Sequence, residues 1–241
     1  MTFQPQPLSA RFSPDPARSV DDARLRSYPE WHRRMAPRRG LYDRLCKRPL
    51  DLMLASLALI LSAPVLVLLV LALWIEGGRP VFTQLRLGRD GRQFRMFKLR
   101  SMVVDAEARL QACLEADPAL RAEWEVSQKL KHDPRITWLG KLIRKTSLDE
   151  LPQLFNVLRG DMSLVGPRPM LPDQLPLYLA PESYLALRPG LTGLWQVTAR
   201  NDQSFAVRAM LDRDYAQDVS LRGDLRIMMA TVGAVVRATG Y

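Results

Sequence analysis

The chain has few of the residues on which several classes of protein depend. Its 241 residues include only two cysteines, Cys46 and Cys113, and only two histidines, His32 and His132. This composition excludes zinc fingers, multi-histidine metal centres and a secreted scaffold held together by disulfides. A serine–histidine–aspartate triad would have to use one of the two histidines, so that class of enzyme has little support.

Two phosphate-binding motifs and an export signal are also missing from the sequence. There is no Walker A loop and no G-x-G-x-x-G, which argues against ordinary ATP hydrolysis and dinucleotide chemistry. No apolar run follows the initiator methionine, so we expect no secretory signal peptide. Residues 1–43 contain six prolines and no sustained apolar period, and we predict a largely disordered arm there.

Acidic residues are outnumbered by basic ones. The chain has 35 lysines and arginines against 25 aspartates and glutamates, a net charge of +10. Such an excess calls for a polyanionic neighbour, which is nucleic acid, anionic lipid or a phosphorylated substrate. We expect no nucleic-acid partner, because the basic residues cluster beside an apolar segment and no nucleic-acid motif accompanies them.

That apolar segment runs through residues 52–75 and contains 24 residues without a charge. As one straight helix it would extend about 36 Å, enough to cross a hydrocarbon core of about 30 Å. Its flanks, residues 33–48 and 79–100, each carry seven basic residues and one acid. Because positive charge marks the cytoplasmic side, a helix that breaks at Pro64 and re-enters the same face explains this symmetry. A kinked helix that crosses once is the alternative, and the residues alone leave both open.

The remaining periodicity predicts a small mixed fold. Residues 80–84 and 94–98 have the pattern of two strands joined by a turn at Asp90-Gly91. Residues 104–131 predict a solvated helical pair interrupted at Asp117-Pro118. Residues 225–236 are apolar but too few to span a membrane, which favours a core helix or one lying in the membrane interface.

The first candidate for chemistry is the adjacent acidic pair Asp149 and Glu150. Ser147 and Glu150 have the spacing of a capping box that opens a helix through residues 154–158, with Gly160 past its end. Acids in the first turn of a helix are common, so a purely structural interpretation stands beside the functional one. Since adjacent carboxylates do not face each other on a helix, divided roles are favoured: one attacks and the other holds Mg²⁺.

Cationic side chains follow in three further segments. Arg168 stands between Pro167 and Pro169, which suits an arginine held ready for phosphate, although a rigid turn exposing it to solvent explains the segment equally well. Residues 188–200 combine a turn with a short strand, in which we expect Trp195 to belong to the core. Lys98 and Arg100 place two cations where the second predicted strand ends.

The order of these segments resembles that of the bacterial sugar transferases, the monotopic phosphoglycosyl transferases that start exopolysaccharide, capsule or O-antigen synthesis. The resemblance covers residues 44–241 and rests, apart from the apolar segment with its central proline, on residues 47–49, 98–102, 133–137, 146–153, 165–169 and 189–200. One departure is Ala63-Pro64, where family members often have Ser-Pro; here the serine is Ser62.

The resemblance implies a reaction and a set of roles. A sugar 1-phosphate passes from a UDP-sugar to polyprenyl phosphate, usually undecaprenyl phosphate, with release of UMP and a need for Mg²⁺. Asp149 corresponds to the nucleophile that forms a covalent phosphosugar intermediate, and Glu150, beside Asp149, to the Mg²⁺ ligand. Substrate-binding positions are Lys98, Arg100, Arg144, Pro167, Arg168 and Arg200, and membrane-anchoring positions are Lys47, Arg48 and Pro64.

The expected architecture is a mostly helical α+β monotopic membrane protein. It has one re-entrant, proline-kinked helix, interfacial amphipathic helices and a small β-hairpin or sheet. We place a basic junction and the membrane helix at 44–76 and a catalytic domain at 77–241, facing the cytoplasm at the lipids of the bacterial inner membrane, with an exposed surface compatible with a homodimer. The alternative is a membrane-anchored scaffold without enzymatic activity, which gives no reason for the acidic pair or for Arg168.

Overall fold

The computed structural model describes residues 40–127, 130, 132–178, 181–198 and 205–236. Most of the predicted arm and Arg200 therefore lie outside the described residues. The described chain is mostly helical, with two two-stranded sheets and one long apolar helix, as the sequence predicted.

The apolar segment forms helix α1, Lys47–Glu76, which follows a π-helical turn at Tyr42–Cys46. The helix continues through Pro64 without an interruption, and the Ser62 hydroxyl donates to the carbonyl oxygen of Leu59 at 3.4 Å. By length and composition α1 is sufficient to cross a membrane. Its central side chains are exposed, among them Ile60 at 70% and Leu61 at 71%, as expected for a lipid-facing surface.

A β-hairpin follows α1, as predicted. Strands β1, Val81–Leu87, and β2, Gln93–Leu99, are antiparallel and pair Phe82 with Lys98 and Arg86 with Phe94. The turn contains Asp90 at φ 57° and Gly91 at φ 77°, left-handed conformations that asparagine, aspartate and glycine adopt most readily. Because paired residues share a face, Lys98 and Arg86 project from the same side of the hairpin.

The solvated helical pair is also confirmed. Helices α2, Ala106–Ala116, and α3, Pro118–Ser127, are separated at Asp117, whose carboxylate accepts the Ala119 N–H at 2.8 Å. The other elements are α4 at Trp138–Lys145, α5 at Gln153–Arg159, β3 at Ser163–Val165, α6 at Pro181–Leu185, β4 at Gly190–Thr192, α7 at Leu194–Thr198, α8 at Phe205–Gln217 and α9 at Leu221–Val236. Strands β3 and β4 are parallel.

The capping box predicted at Ser147 is wrong. Ser147 has φ 57° and makes no side-chain cap, whereas an N-cap residue needs an extended backbone. Residues Leu148–Glu150 form a 3₁₀ turn instead, and α5 begins only at Gln153, after Pro152. Asp149 therefore lies in this separate turn, and Gly160 ends α5 at φ 93° as predicted.

A buried polar network, Lys47–Asp224–Tyr42–Tyr215, attaches the start of α1 to the rest of the fold. Lys47 Nζ lies 2.5 Å from Asp224 Oδ2, and the Tyr42 and Tyr215 hydroxyls each donate to that carboxylate at 2.8 Å. Arg48 donates to the carbonyl oxygens of Val157 and Leu158 at the end of α5. Lys47 and Arg48, assigned from sequence to membrane anchoring, thus bind partners within the protein.

The second half of α1 also packs against the same fold. Leu73 is fully buried with Leu99 of β2 and Ile143 of α4. Arg100 donates to the carbonyl oxygens of Leu73, at 2.9 Å, and Gly77, so its guanidinium caps the C-terminal end of α1. Both ends of the apolar helix are therefore fixed to one body.

Helix α9 has an apolar face that is open to the surroundings. Leu225, Met229 and Val232 are 44%, 75% and 62% exposed and recur at helical spacing, whereas Ile227 is buried in the core. The buried side confirms that α9 contributes to the core, and an interfacial position of its exposed side stays a prediction.

Candidate active site

The two carboxylates of the predicted acidic pair meet at one amine. Lys98 Nζ lies 2.9 Å from Glu150 Oε1 and 3.4 Å from Asp149 Oδ2. All three side chains are partly buried. The 3₁₀ turn that carries the acids thus presents both to the end of β2, a convergence that a first turn of α-helix did not predict.

Asn156 fixes the strand that carries Lys98 to the helix that follows the acids. This fully buried residue of α5 accepts the Phe97 N–H at 3.0 Å and donates to the Arg95 carbonyl oxygen at 2.8 Å. Both bonds are to the backbone of β2, so they hold the strand independently of its side chains. These two bonds therefore fix the position of the strand that carries Lys98 relative to α5, which follows the acids in sequence.

The two acids have opposite shifts of pKa. Burial raises the pKa of Asp149 above its ordinary value of 3.8; Lys98 and Arg144 oppose this shift and Glu150 reinforces it. Burial acts in the same direction on Glu150, but Lys98, Arg168 and Arg86 together outweigh it and hold the pKa of Glu150 below 4.5. Such a divergence within one pair is typical of carboxylates with different tasks.

These shifts predict opposite effects on stability. The raised pKa of Asp149 gives a contribution to folding that is present below pH 3.8 and is lost as the pH rises through the folded-state pKa. The lowered pKa of Glu150 gives one that is present above pH 4.5 and is lost as the pH falls through the folded-state pKa. At pH 7 we therefore expect Asp149→Asn to raise the midpoint of thermal unfolding and Glu150→Gln to lower it.

Circular dichroism of the detergent-solubilised variants, recorded against temperature at pH 7, measures these two changes. Asp105→Asn serves as the control, because Asp105 is exposed and should leave the midpoint unchanged. Shifts of the same sign in both variants would contradict the electrostatic assignment.

A rigid loop brings Arg168 to the acids. Pro167 and Pro169 on either side of it are buried, and the Pro167 carbonyl oxygen accepts the Gly190 N–H at 2.8 Å. A Cβ at Gly166 would lie 2.4 Å from the carbonyl oxygen of Arg188, so only glycine allows the loop to pack this closely on the β4 side. The turn is rigid, as one of the two alternatives had it, but Arg168 is half-buried rather than exposed to solvent, and its charge lowers the pKa of Glu150.

Arg208 of α8 binds the backbone of this loop. Its guanidinium donates to the Arg168 carbonyl oxygen and lies 5.9 Å from the ring of Tyr178 and 5.6 Å from that of Trp195. Asp212, one turn further along α8, lies 3.8 Å from Arg208 and accepts the Tyr178 hydroxyl. Burial raises the pKa of Asp212 to about 6, although Tyr178 and Arg208 both lower it.

Arg86 is a site residue that sequence reasoning missed. It donates to Gln84 Oε1 at 2.6 Å and to the Pro169 carbonyl oxygen at 3.2 Å. Burial, together with the charges of Arg168 and Arg208, lowers the pKa of Arg86 to about 10. The signal was present in the pattern of the hairpin, because the register puts Arg86 on the same face as Lys98.

Comparison with known proteins identifies the family of this chain. The sequence profile of the family described as bacterial sugar transferase matches residues 42–238. The chain belongs to this family. The matched range contains α1, the hairpin, Asp149, Glu150 and the Arg168 loop, so it includes every part of the site described above.

Named relatives within the bacterial sugar transferases are similar over most of this chain. The Erwinia amylovora UDP-galactose-lipid carrier transferase is 48% identical over 199 residues, covering 82% of this chain and 42% of the relative. The Salmonella typhimurium undecaprenyl-phosphate galactose phosphotransferase is 46% identical over 199 residues, covering 82% of this chain and 42% of the relative. The exopolysaccharide production protein ExoY of Sinorhizobium fredii is 44% identical over 198 residues, covering 81% of this chain and 88% of the relative. The chain thus spans less than half the length of the first two.

The other predicted substrate-binding residues of this sugar transferase family member have different positions. Arg144, at the end of α4, is half-buried and lowers the pKa of Asp149, so it belongs with the acids. The guanidinium of Arg100 binds the end of α1, and the Asp149–Glu150–Lys98 contacts do not include it. Arg200 lies outside the described residues.

The opposite face of the hairpin lines an apolar cavity of about 610 Å³. Phe97 and Leu99 of β2 contribute to its wall together with Leu66 and Val70 of α1 and Phe155 of α5. Alternation along β2 separates this cavity from the carboxylates, since Lys98 projects from the other side. Lys98 and Arg86 therefore lie on the side of the hairpin opposite to the one that lines the cavity.

Proposed function

We propose that this protein is a phosphoglycosyl transferase that moves a sugar 1-phosphate from a UDP-sugar to polyprenyl phosphate, giving polyprenyl diphosphate sugar and UMP. The observation that carries the proposal is the pair Asp149 and Glu150 on one lysine, with arginines nearby, in a member of the bacterial sugar transferases. The relatives named for undecaprenyl-phosphate and exopolysaccharide support this acceptor and a role in the first membrane step of surface polysaccharide synthesis.

Asp149 is the proposed nucleophile. One of its carboxylate oxygens attacks the phosphorus that carries the sugar, a bond from this oxygen to phosphorus forms, and the bond from phosphorus to the bridging oxygen breaks. UMP departs with the bridging oxygen and its electron pair. A phosphate oxygen of the acceptor then attacks the same phosphorus, and Asp149 leaves as a free carboxylate. Lys98 orients Asp149 through the 3.4 Å contact.

The acids also fit a bound Mg²⁺. Within the described ranges there is no group of three or more His, Cys, Asp and Glu side chains for a metal, but Mg²⁺ commonly uses one or two carboxylates together with substrate phosphates. Glu150, whose low pKa keeps it ionised, would hold the ion with Asp149 beside it. When bound, the ion neutralises charge on the phosphates of the donor.

A monotopic arrangement at the cytoplasmic face of the bacterial inner membrane is part of the proposal. Both halves of α1 pack against the same body, through Arg48 near its start and Leu73 near its end, while Ile60 and Leu61 at its centre are exposed. A helix that crossed a bilayer would place its two ends on opposite sides of the lipid, so contacts of both ends with one body favour a helix that does not cross. These contacts support a re-entrant helix whose central part enters the lipid.

The test uses the purified protein in detergent with Mg²⁺, undecaprenyl phosphate and a panel of UDP-sugars. We expect UMP release with at least one sugar, and a lipid product whose mass equals undecaprenyl diphosphate plus that sugar. Omission of the lipid should limit UMP to one equivalent per protein at most. Absence of UMP with every sugar, from protein shown to be folded, would refute the proposal.

A further inference from the structure

The loop at residues 166–170, here called the Arg168 loop, is bonded to its surroundings through the backbone of every residue. Strand β4 bonds with the first two residues and strand β1 with the last two. At the centre, the carbonyl oxygen of Arg168 accepts from the guanidinium of Arg208, which belongs to α8. The flanking bonds join Gly166 with Thr192, Pro167 with Gly190, Pro169 with Arg86 and Met170 with Leu87. Arg208 therefore connects the middle of the loop to α8.

Arg208 is itself held in place on several sides. It is buried, and the carboxylate of Asp212, also buried, lies 3.8 Å from it. Its guanidinium lies 5.9 Å from the ring of Tyr178 and 5.6 Å from that of Trp195. The Tyr178 hydroxyl donates to Asp212, and its ring meets that of the fully buried Tyr184 edge-on at 5.8 Å. A carboxylate and two rings thus set the direction in which Arg208 points.

A buried ion pair such as Arg208–Asp212 is weak support for stability, because the attraction between the charges only partly offsets their desolvation. Its direction is the informative feature here, since the guanidinium ends on the backbone of Arg168. The charge of Arg168 lowers the pKa of Glu150, and an interaction between charges depends on the distance between them. The position of the Arg168 backbone therefore matters to the acidic pair.

We propose that Tyr178, Asp212 and Arg208 form a positioning unit for the reaction. Asp212 and Tyr178 orient Arg208, and Arg208 fixes the backbone of Arg168 relative to Glu150. The three are positioning residues, because they act through the loop. The expected effect on turnover rests on the proposed function, whereas the expected effect on the loop does not.

The turnover test compares Asp212→Asn with wild-type protein, using UMP release from the UDP-sugar in the presence of undecaprenyl phosphate. The amide keeps the size of the side chain but removes the charge that faces Arg208. We expect kcat/KM for the UDP-sugar to fall about 10- to 100-fold, the scale that a small displacement of a positioned group produces. Asp214→Asn is the matched control: Asp214 is on the same helix but exposed, and its loss should leave turnover unchanged.

A double variant separates positioning from a purely structural role. Arg168→Gln should itself lower kcat/KM, and adding Asp212→Asn to it should cost less than about threefold more, because the unit then has no arginine to position. A structural role would cost the same factor in both backgrounds. Equal factors, or wild-type turnover in Arg168→Gln, would overturn the proposal.

Hydrogen–deuterium exchange of the detergent-solubilised protein tests the loop without turnover. The Met170 N–H donates to the Tyr184 hydroxyl at 3.1 Å and the Gly166 N–H to the Thr192 carbonyl oxygen at 2.9 Å. In Asp212→Asn both amides should exchange at least about tenfold faster, while those of α5 keep their rates.

Tyr178→Phe is the second variant, in case Asp212→Asn does not fold. It removes one hydroxyl and keeps the ring that faces Arg208 and Tyr184, and it should also speed exchange in the loop. Unchanged loop exchange in the folded variants would overturn the proposal. If the wild type releases no UMP from any UDP-sugar, the proposed function fails, while exchange still decides whether the unit fixes the loop.

Discussion

Asp149→Asn is expected to lower kcat for UMP release by at least about 1,000-fold, because the amide cannot form the bond to phosphorus that the proposed mechanism requires. The substitution keeps the size of the side chain, and Lys98 retains Glu150 at 2.9 Å, so the site should keep its shape. The measurement is UMP release under saturating donor and acceptor, together with labelling of the protein by a radioactive UDP-sugar in the absence of lipid. Wild-type protein should retain label and the variant should not.

Two comparisons make this result specific. Asp105→Asn removes an exposed carboxylate before α2 and should keep full activity and labelling. The Asp149→Asn protein should unfold at a temperature no lower than the wild type, since the raised pKa of Asp149 means that its ionised form opposes folding at pH 7. Wild-type turnover in a folded Asp149→Asn protein would exclude a covalent role for this residue.

Asp224→Ala is expected to destabilise the protein by about 3–5 kcal/mol, because it leaves Lys47 buried and charged without a counter-ion. The same change removes the acceptor of the Tyr42 and Tyr215 hydroxyls. Lys47 and the two tyrosines would then all lose their shared carboxylate partner. For a chain of this size the fall in Tm should be roughly 6–20 °C. Thermal unfolding in detergent, followed by circular dichroism, measures it.

The control for this prediction is Asp218→Ala. Asp218 is exposed between α8 and α9, close to Asp224 in sequence, and its loss should shift Tm little. The double substitution Lys47→Met with Asp224→Leu should be more stable than Asp224→Ala, since it removes the unpaired charge as well as the carboxylate. An Asp224→Ala protein as stable as the wild type would mean that the network does not attach α1 to the fold.

Much of the fold was predictable where the signal is local. The hairpin follows from apolar alternation and from Asp90-Gly91, and the separation of α2 from α3 follows from Asp117-Pro118. The apolar helix follows from composition alone. In each case a short run of residues carries both the pattern and its interruption, so no distant contact has to be known.

The site was predictable in its residues but not in its geometry. Asp149, Glu150 and Lys98 could be named, yet their meeting depends on a left-handed Ser147, which turned an apparent helix start into a 3₁₀ turn. A serine in that conformation carries no sequence signature, and its S-x-x-E spacing indicated the wrong structure.

Residues that act through distant contacts had no local signal at all. Arg208 supports Arg168 across 40 positions of the chain, and Tyr178 binds Asp212 across 34. Nothing within either segment indicates its partner. Arg86 is intermediate, because the register of the hairpin would have identified its face once Lys98 was taken as a reference.

The site also depends on the alternation of side chains along the second strand of the hairpin. Along β2 the even-numbered Lys98 contacts the carboxylates, while the odd-numbered Phe97 and Leu99 line the apolar cavity against α1. Insertion or deletion of one residue in this strand would exchange the two sets. An aromatic ring would then face two carboxylates, and an ammonium group would face the apolar cavity. The alternation of side chains along this seven-residue strand therefore keeps the ammonium group beside the carboxylates and the aromatic ring in the cavity.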